Sequence, residues 1–325
     1  MAMELKTPAG VAPAPASRTA KRRTLHILRK YKVFYFMMLP AILILLFNNY
    51  LPMIGVLIAF KNINYTDGYI HSPWSGFNNF RFLFDTNVAW ELIRNTLLYN
   101  TVFILLNLVM GVGLAVLFSE MRNKRAAKLH QSAMFLPYLL SWVVIGYLVF
   151  AFLGMEHGLL NTWLFPKLGW NPVEWYTDKT YWPLILPLVN TWRNVGYFAV
   201  IYLASMLGID PEYYEAAVID GATKRQQIQM ITIPLVRPVI IVMTMLQIGR
   251  IFYADFGLFF QVTQNAGALY PVTQVIDTYV YQTFMVMGDI GMSSAAGLFQ
   301  SVIGFLLVLG TNLVIRKISK EDALF

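Results

Sequence analysis

Polar side chains recur at helical spacing inside the apolar run at 182–207. They stand at i, i+3, i+4 and i+7, which places them on one face of a helix: Asn190, Arg193, Asn194 and Tyr197. Amide and phenol groups hydrogen-bond to hydroxyls, and a guanidinium binds a carboxylate through two parallel hydrogen bonds. This chemistry is suited to recognising a polar solute.

A second polar set lies in the apolar runs at 239–260 and 296–315. Gln247 and Arg250 share a helical face, Asp255 lies nearer the outer end, and Gln300 belongs to the later run. Ionisable groups inside a membrane span are costly and usually face a pathway or a partner. We expect the two sets to line a polar, partly cationic translocation path. The alternative is structural: Arg250 pairs with Asp255, and Arg193 contacts backbone carbonyls between helices.

Membrane spans are the elements that must position these residues. The 325 residues are 57% hydrophobic and 13% charged, against about 25% charged in soluble domains, and the mean hydropathy is +0.54. A spanning helix needs about 20 mostly apolar residues. The sequence therefore predicts an all-α, polytopic protein with six transmembrane helices, at 34–60, 96–118, 132–153, 182–207, 239–260 and 296–315. Asn48, Asn49 and Pro52 predict a kink in the first span.

The distribution of basic residues predicts the orientation in the membrane. Eighteen of the 25 Lys and Arg residues lie in the N-terminal segment, in the second and fourth loops and at the C-terminus, five lie in the other loops, and two lie inside spans. Cytoplasmic segments carry the excess of Lys and Arg. Both termini and the loop at 208–238 are therefore expected to be cytoplasmic.

Other classes of function have little support in the sequence. There is no cysteine, so neither disulfides nor Cys-based zinc chemistry is available. The spans hold no His pair, Ser–His set or metal-ligand spacing, so no catalytic or metal-binding residue is predicted and an intramembrane enzyme is disfavoured. The basic residues flank apolar runs and accompany no base-reading motif, which argues against nucleic acid as a partner.

The loop at 210–238 has the sequence of a short helix–turn–helix. Asp210 can cap a helix that starts at Pro211, and Gly221 can take the left-handed conformation that ends it. A second, amphipathic helix is expected over 223–233, leading through Pro234 into the fifth span. The alternative is an ordinary amphipathic loop that binds no partner protein.

Within this loop the order of residues resembles the EAA loop of ABC importer permeases. The resemblance rests on three short segments in chain order: Glu215-Ala216-Ala217, Asp220-Gly221-Ala222, and Ile231 with Ile233-Pro234. Residues 191–196, the start of the second span at Asn95-Thr96 and residues 111–115 also fit. By this resemblance, residues 31–325 form a transmembrane permease domain. Residues 1–30 are Ala/Pro-rich and basic, and they are predicted to be a disordered tail.

The resemblance also implies a machine of several chains. Glu215 would make the polar contact with an ATPase, Ala216 and Ala217 would allow close approach, and Gly221 would allow the turn. The expected partners are a second, different permease subunit, two ATP-binding subunits and an extracytoplasmic solute-binding protein, within the lipid bilayer of a bacterial inner membrane. No phosphate-binding loop of the G-x-x-x-x-G-K-[ST] type is present, so ATP and Mg²⁺ would bind the separate ATPase chains and this chain would hold no cofactor.

Further stretches resemble the LplB-type branch, the permeases of polysaccharide and oligosaccharide importers, which include those for alginate and for xylan-derived aldouronates. They lie at 39–40, 50–55, 58–61, 72–74, 275–281 and 297–301. The resemblance implies a saccharide cargo, and the two arginines favour an acidic, alginate-like one. The alternatives are a neutral oligosaccharide or another solute. An ion-coupled secondary transporter is disfavoured, because the spans offer only Asp255 as a carboxylate for an internal relay.

Aromatic residues are concentrated in the predicted outer loop between the third and fourth spans. This loop contains Trp163, Trp170 and Trp175, and Trp182 stands at the edge of the next span. Tryptophans at the headgroup level are the simpler interpretation. Stacking against a sugar ring or a docked protein is the alternative.

Overall fold

The computed structural model describes residues 30–64, 66, 68–85 and 87–318. The predicted tail at 1–30 lies outside the described residues except for Lys30, as do residues 319–325. The described part is mostly helical and contains no strand, only an antiparallel bridge between Lys61 and Trp74. It divides into two compact units, one ending at Val56 and one beginning at Leu57. The all-α prediction is confirmed.

Nine α-helices of nine or more residues occur in the described ranges: α1 Lys32–Leu45, α2 Val88–Glu120, α3 Lys124–Leu139, α4 Trp142–Leu153, α5 Trp182–Leu207, α6 Pro211–Ile219, α7 Ile233–Ile248, α8 Ile276–Met285 and α9 Ile290–Ile318. Shorter α-helices lie at Gly68–His71, Phe82–Asp85, Phe165–Leu168, Lys224–Gln227 and Tyr270–Thr273. Wider π-turns lie at Leu46–Tyr50, Leu160–Leu164, Ile228–Thr232 and Leu258–Val262, and 3-10 segments at Leu51–Phe60, Asn78–Phe80 and Gly267–Leu269.

Within the described residues, four helical segments are long and apolar enough to cross a bilayer: Lys32–Phe60, Val88–Glu120, Lys224–Ile248 and Ile290–Leu313. A fifth arises if α3 and α4 together form one span. The 26-residue α5 is long enough, but its row of polar side chains lowers its hydropathy. The count of six spans and the sidedness of the termini stay predictions.

The predicted first span changes its helical type where a kink was expected. α1 passes into the π-turn Leu46–Tyr50, which contains Asn48 and Asn49, and then into the 3-10 segment Leu51–Phe60, which contains Pro52. A proline lacks the N–H that an α-helix needs at that position. The interruption therefore coincides with these residues.

The predicted third span, 132–153, is not one helix. α3 and α4 meet at an angle of 99°. Pro137 lies in the last turn of α3, and Leu140 and Ser141 have extended backbone. The Ser141 hydroxyl accepts a hydrogen bond from the Val144 N–H at 3.4 Å, so α4 begins with its own N-cap.

The predicted fifth span, 239–260, is also wrong as a continuous helix. α7 ends at Ile248, residues 249–254 are irregular, and helical structure resumes only before the π-turn Leu258–Val262. Arg250 therefore lies in the break, and it does not share a helical face with Gln247. We call residues 249–254 the break segment.

Helix α5 lies at the centre of the packing. Its Phe198, Ala199 and Tyr202 pack with Ala115 and Phe118 of α2 in one buried cluster. Gly196 lies so close to α3 that a Cβ there would collide with the Met134 carbonyl, so glycine permits this helix contact. Near the other end of α5, Trp182 and Leu186 pack in a second cluster with Tyr99, Ile145 and Phe259.

The four tryptophans of the predicted outer loop divide into two pairs. Trp175 and Trp182 are buried, and the Trp182 Nε1–H donates to the Trp175 carbonyl at 2.6 Å. Trp163 and Trp170 are exposed, and the Lys167 Nζ lies 3.9 Å from the ring centre of Trp163. Only the exposed pair is available to a headgroup, a sugar or a protein.

Candidate functional site

A cavity of about 580 Å³ lies between α2, α5, α7 and the break segment. Its polar lining consists of amides, two tyrosines, one cation and one carboxylate: Asn100, Asn107, Asn190, Asn194, Tyr197, Gln247, Arg250, Tyr253 and Asp255. The apolar lining is Phe103, Ile104, Phe198, Met243, Leu246 and Ala254. Six of the eight residues predicted from the sequence to form a substrate path meet here.

The wall formed by α5 and α2 presents unused hydrogen-bond acceptors. Asn190 and Asn107 are buried, and the side-chain oxygen of each has no partner within the described residues. The Asn194 amide donates to the Asn190 carbonyl at 3.0 Å, and the Asn107 amide lies 3.5 Å from the Gln247 Oε1. A buried acceptor without a donor is costly, so these two oxygens are polar groups that the fold leaves unsatisfied beside the cavity.

Arg250 supplies the positive charge of the cavity. It follows α7 by two residues, and its side chain is exposed. Across the described ranges, no hydrogen bond, ion pair or ring contact engages its guanidinium. The expected alternative, a pair with Asp255, is not formed in the structure. A guanidinium that lacks a partner in the protein can form a bidentate contact with an anionic ligand.

Asp255 is held by other groups. Its Oδ2 accepts from the Trp142 Nε1–H at 2.8 Å, and its Oδ1 accepts from the Gly257 N–H at 3.0 Å. The second contact is that of an N-cap residue at the start of the helical turn that follows. The carboxylate is therefore engaged while it lines the same cavity as Arg250.

Arg193 does not line the cavity, which corrects the expectation that it faces the path. Its guanidinium lies 4.3 Å from the ring centre of Trp142 and 5.4 Å from that of Tyr138. Its Nη2 lies 3.5 Å from the Leu140 carbonyl, at the bend between α3 and α4. This is the structural alternative: a cation stacked on aromatic faces beside a carbonyl that the helix break exposes.

Gln300 also lies outside the cavity, where it hydrogen-bonds to the backbone of the break segment. Its buried amide donates to the Phe252 carbonyl at 2.9 Å and to the Asp277 Oδ2 at 3.0 Å. The same Asp277 oxygen accepts from the Ala254 N–H at 2.8 Å. From α2, the Asn100 amide donates to the Ile251 carbonyl at 2.8 Å. Three helices thus satisfy the backbone of the break segment and hold the stretch that carries Arg250.

Sequence reasoning missed several of these residues. Asn100 and Asn107 stand at i and i+7 in an apolar run, so the pattern used for α5 could have found them. Asp277 and Trp142 left no such signal, because their partners Ala254 and Asp255 are far along the chain.

The predicted helix–turn–helix at 210–238 is present. Asp210 caps α6, its Oδ1 accepting from the Glu212 N–H at 3.0 Å. Gly221 has φ +78°, the Ala222 N–H donates to the Ala217 carbonyl at 2.8 Å, and the Gly221 N–H donates to the Val218 carbonyl at 3.1 Å. This pair of bonds is a Schellman motif, which ends a helix with a left-handed residue. Glu215, Ala216 and Asp220 are exposed, and Ala217 is half-buried.

The second part of the loop is continuous with α7. Thr223 and Gln226 form a capping box, and helical structure then runs from Lys224 to Ile248. Ile231 is half-buried in the π-turn, and Pro234 is exposed and lies just after this turn, inside the continuous helical segment. The predicted helix at 223–233 is therefore the beginning of a longer one.

Two polar contacts fix the turn against its surroundings. The hydroxyls of Tyr214 and Thr232 lie 2.9 Å apart and join α6 to the second helix. The Lys224 Nζ lies 3.2 Å from the Glu120 carboxylate at the end of α2. Two apolar side chains of the turn are strongly exposed beside charged residues such as Glu215 and Asp220: Ile219 is 87% and Met230 74% accessible. Other described residues do not cover these two side chains.

The described residues contain no group of three His, Cys, Asp or Glu side chains arranged to hold a metal ion.

Residues 92–320, more than half of the chain, match the family described as "Binding-protein-dependent transport system inner membrane component". The chain belongs to this family. It is a permease of the ABC importer type, and it is a multi-pass protein of the inner membrane. Both the resemblance found in the sequence and the expected localisation are thereby confirmed.

Relatives and solved structures agree on the branch. The permease is 31% identical over 294 residues to protein LplB of Bacillus subtilis, covering 90% of this chain and 92% of that protein. It is 30% identical to the polygalacturonan/rhamnogalacturonan transport system permease YteP of the same organism, covering 98% and 99%. A chain of a bacterial ABC transporter involved in the import of the acidic polysaccharide alginate has the same fold, with a TM-score of 0.83, 31% identity and coverage of 91% and 99%. A second structure, of the alginate transporter with a pentasaccharide-bound periplasmic protein, gives 0.82 and 30%.

Proposed function

We propose that this permease forms the translocation path of an ATP-driven importer for an oligo- or polysaccharide that carries carboxylates. The observation that carries the proposal is Arg250, whose guanidinium has no partner among the described residues and lines a cavity whose other polar groups are amides, two tyrosines and the engaged carboxylate of Asp255. Amide and phenol groups suit sugar hydroxyls, and the guanidinium suits a uronate carboxylate.

Relatives with acidic cargo support this choice over a neutral saccharide. The similar solved transporter imports alginate, and YteP belongs to a polygalacturonan/rhamnogalacturonan system. Other relatives are named for neutral sugars, among them the lactose permease LacF of Rhizobium radiobacter, at 27% identity. The free guanidinium of Arg250 favours the acidic cargo, because a carboxylate can bind it through two hydrogen bonds and a neutral sugar cannot.

The exposed turn at 210–238 is the docking site that we assign to one of two ATPase chains. These chains would bind ATP and Mg²⁺. In this proposal Glu215 makes the polar contact with the ATPase, and the exposed Ile219 and Met230 make the apolar one. A second permease chain would complete the path, and a solute-binding protein would deliver the saccharide.

Alternating access is the mechanism that suits this connectivity. α5 reaches the turn from one side and supplies Asn190, Asn194 and Tyr197 to the cavity. The helix Lys224–Ile248 leaves the turn on the other side and ends two residues before Arg250. Closure of the ATPase pair would move the turn, and both cavity walls would move with it. An ion-coupled secondary transporter would instead need an internal relay of carboxylates, and Asp255 is the one carboxylate among the described residues that line this cavity.

The test compares an acidic oligosaccharide with its carboxyl-reduced analogue of equal length. Binding to the assembled transporter, without the solute-binding protein, is measured by calorimetry for the wild type and for Arg250→Gln. A charge-assisted hydrogen bond in an open cavity is worth about 1.4 kcal/mol, or tenfold in Kd. We expect Arg250→Gln to weaken acidic binding about tenfold and to change neutral binding little.

Arg237→Gln is the matched control, because Arg237 is exposed on α7 and does not line the cavity. Equal affinities of the wild type for the two saccharides, or an Arg250→Gln variant that keeps the preference, would refute the acidic assignment. ATP-dependent uptake into proteoliposomes that survives dissipation of the ion gradients would separate the importer from an ion-coupled transporter.

A further inference from the structure

The cavity holds two opposite charges that do not meet. Arg250 and Asp255 are five residues apart and line the same space. Asp255 instead accepts from the Trp142 indole N–H at 2.8 Å and from the Gly257 N–H at 3.0 Å. Two opposite charges that line one cavity attract each other, although the exposure of both side chains to water weakens the attraction. The separation therefore depends on what holds Asp255.

Of the two donors, the indole is the one that a side-chain substitution can remove. The Gly257 N–H binds Oδ1 as part of a local N-cap turn, whereas the Trp142 N–H binds Oδ2 across 113 residues of sequence. Without the indole, Oδ2 would lack a donor. Arg250 is the one cation among the described residues that line the cavity, whereas Arg193 stacks on the indole outside that lining.

The indole itself is fixed on two sides. The Arg193 guanidinium lies 4.3 Å from its ring centre. On another side, a Cβ at Gly257 would collide with the Trp142 side chain, so the glycine allows the ring to lie against that backbone. Trp142 is also the first residue of α4, directly after the bend, and it follows the N-cap Ser141. Its N–H therefore points at Asp255 from a defined position.

We infer that Trp142 is a positioning residue for substrate selectivity: its indole N–H keeps the Asp255 carboxylate from Arg250 and so leaves the guanidinium to a carboxylate of the cargo. This inference rests on the proposed function, since it requires an acidic cargo. Selectivity in this account comes from suppressing an internal competitor as well as from attraction. It also gives a role to Arg193, which supports Trp142 and does not touch the cargo.

Trp142→Phe tests the inference, because phenylalanine keeps a smaller aromatic ring at this position and removes the N–H donor. The released Asp255 would pair with Arg250 and compete with the ligand. A partly exposed ion pair changes an affinity by about fivefold. We expect the Kd of the assembled transporter for an acidic oligosaccharide to rise about fivefold and the Kd for the carboxyl-reduced analogue to stay constant.

Asp255→Asn provides the rescue. Removing the competing carboxylate in the Trp142→Phe background should restore the acidic affinity, although the indole is still absent. Asp255→Glu is an independent variant for which Trp142 stays intact. Its longer side chain carries the carboxylate past the indole, and it should reproduce the loss of acidic affinity.

The outcomes separate the two proposals. If the wild type prefers the acidic ligand and Arg250→Gln loses that preference, the proposed function stands. In that case, a Trp142→Phe variant with full preference, an equal loss for both ligands, or a failure of Asp255→Asn to rescue would overturn the role of Trp142. If the wild type has no acidic preference, the proposed function fails, and this inference fails with it.

Discussion

Gly221 offers a substitution whose effect comes from the backbone alone. Its φ is +78°, and a Cβ built on it meets no atom within 4 Å. Gly221→Ala therefore introduces no clash. An alanine in the left-handed region costs about 1–2 kcal/mol, and this cost falls on the turn that ends α6.

The cost can be converted into an effect on docking. If the turn must hold its present shape to bind the ATPase, 1–2 kcal/mol lowers the ratio of that shape to the alternative shapes by a factor of about 5–30. We expect the ATPase concentration needed for half-saturation of the permease pair to rise by up to that factor. Purified ATPase is titrated onto the permeases in nanodiscs, and its binding gives the half-saturation concentration. Substrate-stimulated ATP hydrolysis is then measured separately at saturating ATPase.

Two further variants control for the size of the side chain. Gly208→Ala is matched, because Gly208 has φ −83° and a Cβ there first meets the Ser205 carbonyl at 3.4 Å; it should bind like the wild type. Gly221→Asn should recover part of the loss, since asparagine tolerates the left-handed region better than alanine. The reasoning is refuted if Gly221→Ala binds as well as Gly208→Ala, or if Gly221→Asn binds more weakly than Gly221→Ala.

Two further predictions concern stability, measured as thermal unfolding of the purified assembly. Arg193→Met should lower the free energy of unfolding by about 1–3 kcal/mol, because it removes the stacking on Trp142 and the contact with the Leu140 carbonyl. Arg250→Met should change the unfolding temperature little. Equal effects of the two substitutions would contradict the different placements of the two arginines. Asp277→Leu should lower the free energy of unfolding by about 2–4 kcal/mol, because it leaves the Ala254 N–H without an acceptor and removes one of the two acceptors of the Gln300 amide. Adding Gln300→Leu should cost less than the sum of the two single changes, and strict additivity would show that the pair does not act together.

The polar face of α5 was predictable because it depends on helical periodicity alone. Spacing of i, i+4 and i+7 brought Asn190, Asn194 and Tyr197 to one cavity wall. Arg193 stands at the edge of that face, and its long side chain reaches sideways to the Leu140 carbonyl. That carbonyl is accessible only because α3 ends there, and a continuous apolar run around residue 140 gave little warning of the bend.

The break after Ile248 shows a different limit of sequence reasoning. Gly249 is a weak signal, and no proline follows it before Pro271. The irregular backbone is stabilised by side chains of α2, α8 and α9 that hydrogen-bond to its N–H and carbonyl groups, namely Asn100, Asp277 and Gln300. Such long-range satisfaction of backbone groups has no local pattern. The turn at 210–238 was predictable for the opposite reason, since its caps are all local.

The helical segment from Lys224 to Ile248 has a mechanical consequence. Its 25 residues span about 37 Å at 1.5 Å per residue, and a hydrogen-bonded helix of that length resists shortening. A displacement of the turn in the proposed importer would therefore produce a displacement of similar size at Arg250. Movement of the turn by the ATPase and movement of the cargo-binding Arg250 would then occur together, because one helical segment connects them.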